Sequence, residues 1–518
     1  MKKITLLNLL FFSLGSIIGS GWLYGAYYTS KLAGNAAIIS WIIGGLMMAI
    51  VALSYAEIIL NKQFNNLPDA ANHSLSKNGS ILVSILTWIW TALIPPIEVQ
   101  ATIQYASNYF TWIRNPLTQE FTLSKAGLFL SFFLLFIMFF INIFASNTVG
   151  RFNKLITIVK VIIPISVAFI FFYVIYKNPY NAYNNLSLDF FSEGVSGMLT
   201  AISTGGIAFS FIGFQTAIFL AKETDNPQKN IPIAVFGSIF IAIIIYLLIQ
   251  IGFNLSIPSD NLNNGWSQLN FAGDSGPIAG LLALFGFVFM SYFLYFDAVI
   301  SPFGTGLGYK VAASRVLSNL SEEKIFPKFL SQRNKFGSPY FANTVNFILG
   351  AIFLCSVSGW QSMIAILCGL IILTMSYVPL YVLYARLNKY NDTSFKVKNY
   401  KILSFLSFYF CNLMLIWCEW NQIKYVLSIF SSIFIFLIIK DILKNKFNFN
   451  LIFHAILPIH AFLIGMITYL KTTQSSFYFE TVSLFIISLV IILTVIQIFK
   501  SNQSLTNRIN KNKEKLVS

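Results

Sequence analysis

The chain has 518 residues, of which 56% are hydrophobic and only 10% are charged. A soluble domain carries about 25% charged residues, so this composition excludes a soluble globular or a disordered protein and favours one membrane-embedded body. The net charge of +16 would suit a nucleic-acid partner only if the basic residues did not collect on one side of a bilayer.

Apolar runs of about 20 residues, the length needed to cross a bilayer, recur along the chain. They predict an all-α integral membrane protein with about fourteen transmembrane helices. The predicted spans are 6–32, 36–60, 80–111, 124–145, 151–176, 196–221, 232–253, 277–309, 340–356, 361–385, 402–418, 425–439, 451–470 and 481–499. The eighth is too long for one simple crossing, so it is expected to be tilted, broken or extended beyond the bilayer.

Two polar segments fall outside the spans. Residues 61–79 are predicted to be an intracellular connection with an interfacial helix. The tail 501–518 shows no apolar periodicity and is predicted to be disordered in the cytoplasm.

The basic residues divide unequally between the two sides of these spans. With the N-terminus inside, 27 of the 34 Lys and Arg fall in inside segments, including six in 310–335, and six fall in outside segments. The remaining one, Lys160, lies within the fifth span. This asymmetry predicts that both termini are cytoplasmic, and it explains the positive charge without nucleic acid.

Small residues interrupt the first and the sixth spans. Three glycines lie within 15–21, and Gly205-Gly206 and Gly213 lie in the sixth span. These spans lead two successive blocks of five helices, and because five is odd, the second block enters the membrane inverted. Helices 1 and 6 are therefore predicted to be discontinuous around a transporter site at the midplane, although small residues would also permit close helix packing.

Broken helices offer a particular chemistry. Freed amides attract a carboxylate, and freed carbonyls attract an ammonium group or a cation. A site that offers both suits a zwitterion such as an amino acid.

Several motifs resemble those of the amino acid–polyamine–organocation permease superfamily. Residues 15–23 (GSIIGSGWL) resemble its first-helix motif, and residues 213–235 (GFQTAIFLAKETDNPQKNIPIAV) resemble the end of its sixth helix and the following cytoplasmic turn. In that turn, Asn226-Pro227 is predicted to stop one helix and Asn230 to cap the next. Further matches are Tyr55-Ala56-Glu57, Arg315-Val316-Leu317, Phe326-Pro327 and Ser376-Tyr377-Val378-Pro379.

Two patterns narrow the resemblance. Residues 94–98 (IPPIE) and 297–302 (DAVISP) look most like bacterial aspartate–proton symporters. There is one departure, because Asp69-Ala70-Ala71-Asn72 follows Pro68 where the family usually shows a Gly-Gly pair. This departure puts the conformation of that loop in doubt, and it does not affect the fold.

The resemblance implies an inverted five-helix repeat of the leucine-transporter type, with alternating access. The first repeat is 1–177, the second is 195–386, four additional spans occupy 401–500, and 501–518 is the cytoplasmic tail. The substrate carboxylate is placed against Ser20 and Gly21, and the amino group near carbonyls of both breaks. The candidate substrate-binding residues are Ile18, Gly19, Ser20, Gly21, Phe209, Ser210, Ile212 and Gly213.

Family positions around the second break carry two further implications. Phe209 falls where relatives carry an aromatic gate over the substrate. Gln215 stands where some relatives have a glutamate, so that proton-linked role does not carry over to this chain.

Three ionisable residues lie within predicted spans and are candidates for proton coupling: Lys160, Glu98 and Asp297. Burial disfavours the charged form of a lysine, and in proton-coupled relatives a lysine at this place stands where sodium-coupled relatives bind sodium. Lys160 is therefore predicted to replace a cation, with a snorkelling lysine as the alternative. The two acids either transfer protons, contact the substrate or form structural pairs. Glu57, at the end of span 2, is interpreted as a cytoplasmic gate or a surface residue.

The sequence thus predicts a secondary active transporter that takes up amino acids across the cytoplasmic (inner) membrane by proton symport. Its partners would be the amino acid, protons and lipid, without a metal, a cofactor or a catalytic residue. An amino acid or polyamine antiporter of the same fold is the alternative. The aspartate-type resemblance favours an acidic substrate and the two buried acids favour a neutral or cationic one, so the substrate side chain and the oligomeric state stay open. Three scattered histidines and two buried acids do not form the cluster that a membrane enzyme would need.

Overall fold

The computed structural model describes residues 3–64, 66–117, 121–144, 149–390, 395–445, 448–472 and 477–517. Within these ranges the chain is helical, and it contains no β-strand apart from two isolated bridges. The prediction of an all-α chain is therefore confirmed.

The first half of the chain contains helices of very different lengths. They are α1 (Leu6–Ile17), α2 (Gly21–Ala33), α3 (Ala37–Ile59), α4 (Leu67–Leu75), α5 (Lys77–Ala106), α6 (Lys125–Phe144), α7 (Val149–Lys177), α8 (Pro179–Ser187), α9 (Gly194–Ser203), α10 (Ile207–Ser210), α11 (Gln215–Phe219) and α12 (Pro227–Ser256).

The second half continues in the same way. Its helices are α13 (Pro277–Leu284), α14 (Val288–Glu322), α15 (Tyr340–Ser356), α16 (Trp360–Ser376), α17 (Val378–Leu387), α18 (Tyr400–Ile416), α19 (Trp420–Leu443), α20 (Leu457–Lys471) and α21 (Phe477–Val517). A π-helical turn, Ile452–Ile456, leads into α20.

Nine helical segments of the described chain are long and apolar enough to cross a membrane, and three shorter apolar helices accompany them. The chain is a membrane protein, as its composition predicted. The number of crossings, about fourteen by sequence, stays a prediction.

Burial separates a central group of helices from a peripheral one. The apolar window of the segment formed by α16 and α17 is 100% buried, whereas that of α6 is 28% buried and that of α19 is 22% buried. The outer face of α6 carries phenylalanines exposed by half or more, such as Phe129 and Phe133. In a membrane such a surface faces lipid.

The eighth predicted span consists of two helices. The chain turns after α13 and continues as α14, which has 35 residues and at 1.5 Å per residue is about 52 Å long. That length exceeds the roughly 30 Å hydrocarbon core, so the span is both broken and extended. Helix α14 runs past Pro302 without a break.

The polar connection 61–79 contains the expected helix, α4. Asn66 caps it by accepting a hydrogen bond from the Asp69 amide at 2.9 Å, and proline in the first turn suits a helix start. The residues that replace the family's Gly-Gly pair are part of this helix.

Two predictions from sequence are wrong, and the depth of one basic residue was not predicted. Asn226, with φ of 42°, occupies the N-cap position of α12, while Asn230 lies within that helix and donates to the Asp225 carbonyl. The tail predicted to be disordered continues as helix α21 to Val517, and residue 518 lies outside the described residues. Lys310, counted with the basic cytoplasmic segment, is 1% exposed within α14.

Candidate functional site

The first span is broken where its glycines predicted. Helix α1 ends at Ile17 and α2 begins at Gly21. Ile18 leaves helical geometry, with φ of −81° and ψ of 90°. The Gly19 amide bonds to the Ile17 carbonyl instead of the Gly15 carbonyl that a continuous helix would offer, so the Gly15 carbonyl is left for another donor.

The sixth span is broken into α9, α10 and α11. Gly206 adopts φ of 90° and Gly213 adopts φ of 129°, and both values lie in the region that favours glycine. Between them α10 comprises only four residues, Ile207–Ser210. The sequence therefore predicted both interruptions at the correct residues.

The two breaks pack directly against each other. A Cβ atom built on Gly213 would lie 2.4 Å from the Ser16 carbonyl carbon, and one built on Gly21 would lie 2.3 Å from the Ser210 Oγ. The Tyr246 hydroxyl of α12 lies 3.2 Å from the Ile17 carbonyl oxygen and 3.1 Å from that of Ser210. One donor thus serves a carbonyl group from each break.

The broken spans run in opposite directions. The Ile4 amide, just before α1, donates to the Glu223 carbonyl, and the Asp225 amide, beyond α11, donates to the Ile4 carbonyl, each at 2.9 Å. The first span therefore starts on the side where the sixth one ends.

A cavity of about 10 Å³ lies at the junction of the breaks. This volume holds about one water molecule and is too small for an amino acid. Of the predicted binding residues, Gly19, Phe209 and Ile212 line it. The other five, Ile18, Ser20, Gly21, Ser210 and Gly213, are buried in the surrounding contacts and do not line this cavity.

Lys160 joins the first break to α14. Its ammonium donates to the Gly15 carbonyl oxygen at 3.0 Å and to the Thr305 Oγ1 at 2.8 Å. The residue is 3% exposed, which rules out a side chain that snorkels to the membrane surface. Lys160 therefore binds the carbonyl group that the helix break leaves free, and it reaches the cavity through Thr305.

The two predicted acids lie near this lysine but do not form salt bridges with it. Glu98 is 1% exposed and Asp297 is 0% exposed, and their carboxyl groups lie beside Ser20 and Trp22, respectively. Lys160 is close enough to both carboxyl groups to interact with them electrostatically. Glu98 lines the cavity, with Oε1 3.1 Å from a Cβ built on Gly19. All three candidates for proton coupling therefore lie around the first break.

An aromatic cluster covers the junction on one side, and we call it the aromatic lid. The Trp360 ring stacks on Tyr24 at 4.7 Å and Tyr28 at 5.8 Å, and it meets Phe209 edge-on at 6.0 Å. The Trp360 indole donates to the Ser20 hydroxyl at 2.9 Å. Ser20, predicted to bind a carboxylate, is bonded to the aromatic lid in this structure.

A wider cavity of about 240 Å³ lies on the opposite side, between α4 and α11. It is lined by polar and aromatic groups that include Tyr55, Trp90, Gln215 and Tyr381. The Nε2 atom of Gln215 has no partner, while its Oε1 atom accepts from the Gly213 amide at 3.0 Å. Gln215 therefore connects the second break to this cavity.

Glu57 lies on the same side as the wider cavity and is not a surface residue. It is 3% exposed and forms an ion pair with Arg386 of α17. Its Oε2 atom also accepts the Val397 amide at 3.1 Å. Glu57 thus ties α3 to the end of α17 and the segment after it.

Sequence reasoning missed three residues of the site: Tyr246, Trp360 and Tyr309. Trp360 is 340 positions from its partner Ser20, and Tyr246 lies in a plain apolar helix. Tyr309 lines the small cavity from the part of α14 that was assigned to the end of a span. No local pattern marks these residues, since their role depends on contacts between distant helices.

Comparison with known proteins identifies the family of the chain. A family model described as amino acid permease matches residues 4–423. The glutamate/serine transporter AimA of Bacillus subtilis (strain 168) is 32% identical over 447 residues, which cover 84% of this chain and 81% of that protein.

Two further relatives are more distant. The aspartate-proton symporter of Bacillus subtilis (strain 168) is 28% identical over 444 residues, covering 84% of this chain and 83% of that protein. The putrescine transporter PotE of Haemophilus influenzae (strain ATCC 51907 / DSM 11121 / KW20 / Rd) is 24% identical over 347 residues, covering 64% of this chain and 71% of that protein. The resemblance inferred from the motifs is confirmed, and the chain belongs to the amino acid permease family.

Proposed function

We propose that this protein is a secondary active transporter that takes up an amino acid by proton symport across the cytoplasmic membrane. The observation that carries the proposal is the Lys160 ammonium, bonded to the Gly15 carbonyl at 3.0 Å and to Thr305 at 2.8 Å. A buried cation at this point holds the first break against α14. Adding or removing a proton there changes the contact that the broken helix makes, and this couples protonation to the conformation of the site.

The fold we propose is an inverted pair of five-helix repeats, 1–177 and 195–386, followed by four further spans and a cytoplasmic tail. The opposite directions of the two broken spans and the meeting of their breaks support it. The bias of Lys and Arg toward one set of connections supports cytoplasmic termini in the inner membrane.

Alternating access follows from the difference between the two sides of the site. On one side the aromatic lid is closed by the bond between Trp360 and Ser20. On the other side the 240 Å³ cavity reaches Gln215, next to the second break. In the proposed topology this wider cavity faces the cytoplasm, so the structure corresponds to a state closed to the outside.

The substrate class follows from the relatives and from the charges near the site. Relatives named for glutamate, serine and aspartate transport favour a small amino acid bound by the freed backbone groups of both breaks. Among the described residues, no basic side chain lines the small cavity. An acidic substrate would therefore require Glu98 to be protonated, because two facing carboxylates repel each other.

An amino acid or polyamine antiporter is the second candidate. Two buried carboxyl groups, Glu98 and Asp297, would suit a cationic substrate, and one relative is named for putrescine. Counterflow distinguishes the two candidates, since an antiporter exchanges preloaded substrate without a proton gradient.

The test is uptake of radiolabelled glutamate, aspartate, serine and putrescine by proteoliposomes, with and without an imposed inward proton gradient. Symport predicts accumulation of at least one amino acid that rises with the gradient. Accumulation of none of these compounds would contradict the transport proposal. Rapid exchange that ignores the gradient would favour the antiporter.

A further inference from the structure

A pocket separate from the cavities at the two breaks combines positive charge with a buried hydroxyl group that has no partner. It lies between the end of α6, the middle of α14 and the start of α15, and its volume is about 270 Å³. Its polar lining comprises Asn142, Ser314, Arg315, Arg333 and Ser338, and we call it the α15 pocket. None of these residues lines the cavities at the broken helices.

The Ser338 hydroxyl group is the feature of the α15 pocket that most directly suggests a bound ligand. Ser338 is 2% exposed and its Oγ has no hydrogen-bond partner, although its amide donates to the Asn334 Oδ1 at 3.0 Å. A buried hydroxyl group without a partner is energetically unfavourable. A ligand oxygen in the α15 pocket would remove this penalty.

The backbone of the pocket also favours an anion. Gly337, Ser338 and Pro339 in its wall lead into α15, a helix of 17 residues that no side chain caps. The N-terminus of such a helix carries a partial positive charge and amides that point toward the ligand.

Two arginines supply full charges. The Arg315 guanidinium group is exposed and forms no salt bridge within the described residues. Arg333 contacts Glu322 at 3.5 Å, with both side chains about half exposed (53% and 52%). Such a surface pair contributes little, so Arg333 remains able to bind an anion.

A third basic residue, Lys310, lies deeper in the protein on α14, the helix that also carries Arg315. Lys310 is 1% exposed and its Nζ has no hydrogen-bond partner. It lies 5.9 Å from the centre of the Phe139 ring and 5.6 Å from that of Phe347. The Lys310 carbonyl oxygen accepts a hydrogen bond at 3.4 Å from the side chain of Asn142. Asn142 itself lines the α15 pocket.

We propose that the α15 pocket binds a phosphate-type anion, through Arg315, Arg333, the Ser338 hydroxyl group and the start of α15. The source is either the headgroup of an anionic phospholipid or free inorganic phosphate. Phe144 and Phe336 are 48% and 41% exposed and contact each other at 5.1 Å. This apolar surface beside the pocket would suit the acyl chains of a lipid.

The test is binding to the full-length protein in neutral detergent, with two probes. Phosphatidylglycerol is titrated in native mass spectrometry with phosphatidylcholine as reference. Inorganic phosphate is titrated in thermal unfolding, against chloride at equal ionic strength. Retention of phosphatidylglycerol alone identifies a lipid site, and stabilisation by phosphate alone identifies a soluble-anion site. Either result supports the proposal.

Three variants give the test its specificity. The double variant Arg315→Gln, Arg333→Gln should weaken binding roughly tenfold or more, and Ser338→Ala roughly tenfold, as expected for bonds to a charged ligand. The control Lys328→Gln removes one charge from the same exposed connection, outside the α15 pocket, and should change binding less than about twofold. Ser338→Ala keeps the test decisive if the double variant does not fold.

Two results would overturn the proposal. One is wild-type protein that prefers neither phosphatidylglycerol over phosphatidylcholine nor phosphate over chloride. The other is a Lys328→Gln loss equal to that of the pocket variants, which would reflect diffuse surface charge. Neither result depends on transport activity.

Discussion

The Trp360 indole donates a hydrogen bond to the Ser20 hydroxyl at 2.9 Å, and this contact joins α16 to the first break. The Trp360 amide is also bonded, at 3.1 Å, to the Gln104 Oε1 of α5. Three helices thus meet at one tryptophan over the site. We infer that this residue must leave Ser20 before substrate can enter from the lid side.

Replacing Trp360 with phenylalanine keeps a ring on Tyr24 but removes the bond to Ser20. A hydrogen bond of this kind contributes about 1 kcal/mol, so opening of the aromatic lid should become roughly fivefold more frequent. The frequency of opening is measured by hydrogen exchange of the backbone amides at the start of α16 and in α2. Trp88→Phe is the matched control, because it removes an indole bond to Asn346 at 2.8 Å away from the lid. Equal exchange in Trp360→Phe and wild type would contradict the gating role.

Glu98 lines the small cavity and is 1% exposed. Glu98→Gln keeps the shape of the side chain and removes its titration. Accumulation driven by a proton gradient should be lost, because glutamine cannot take up and release the coupled proton, while counterflow of preloaded substrate continues. Asp297→Asn, measured in the same assay, shows whether the second acid also takes part in coupling. If Glu98→Gln accumulated substrate as well as wild type, Glu98 would have no part in coupling.

The buried pair of Glu57 and Arg386 should be important for stability. Their side chains are only 4% and 14% exposed, so Glu57→Gln leaves a largely buried guanidinium group without its partner. Such a change is destabilising by about 3–5 kcal/mol, and the loss should be visible as a lower unfolding temperature in detergent. Glu322→Gln breaks the half-exposed pair with Arg333 and should shift stability by less than about 1 kcal/mol. A similar small shift in both variants would show that the buried pair is not structural.

Gly213 should not tolerate a side chain. Its φ of 129° adds about 1–3 kcal/mol of strain for alanine, and the new Cβ would lie 2.4 Å from the Ser16 backbone. Gly213→Ala should therefore lower both the unfolding temperature and uptake. Gly304→Ala serves as the control, since nothing lies within 4 Å of its Cβ and alanine favours a helix. Normal uptake by Gly213→Ala would mean that the breaks need not pack so closely.

Much of the fold could be predicted from local sequence because a membrane permits few backbone structures. Apolar length predicted the helices, and the glycines in 15–21 and 205–213 predicted both breaks. The depth of Lys160 in an apolar run predicted its burial. These features are readable because lipid forces each backbone group to be satisfied within its own segment or at a site.

The remaining features depend on contacts across the chain. Tyr246 bonds to the Ile17 and Ser210 carbonyl groups, 229 and 36 positions away, and Glu57 pairs with Arg386 329 positions away. The burial of Lys310 was missed because it lies next to a basic segment, and helix length alone could not show that α14 continues past it. Contacts of this kind follow from packing, which one sequence does not specify locally.

The central claim is that Lys160 couples proton movement to transport. The most direct measurement records proton entry and substrate uptake together in proteoliposomes that carry wild type, Lys160→Ala or Lys310→Ala. Lys310→Ala removes a second buried lysine, which makes no hydrogen bond through its Nζ. We predict that Lys160→Ala still exchanges substrate but shows neither proton entry nor a response to the gradient, while Lys310→Ala keeps both. Full pH-dependent accumulation by Lys160→Ala would contradict the account.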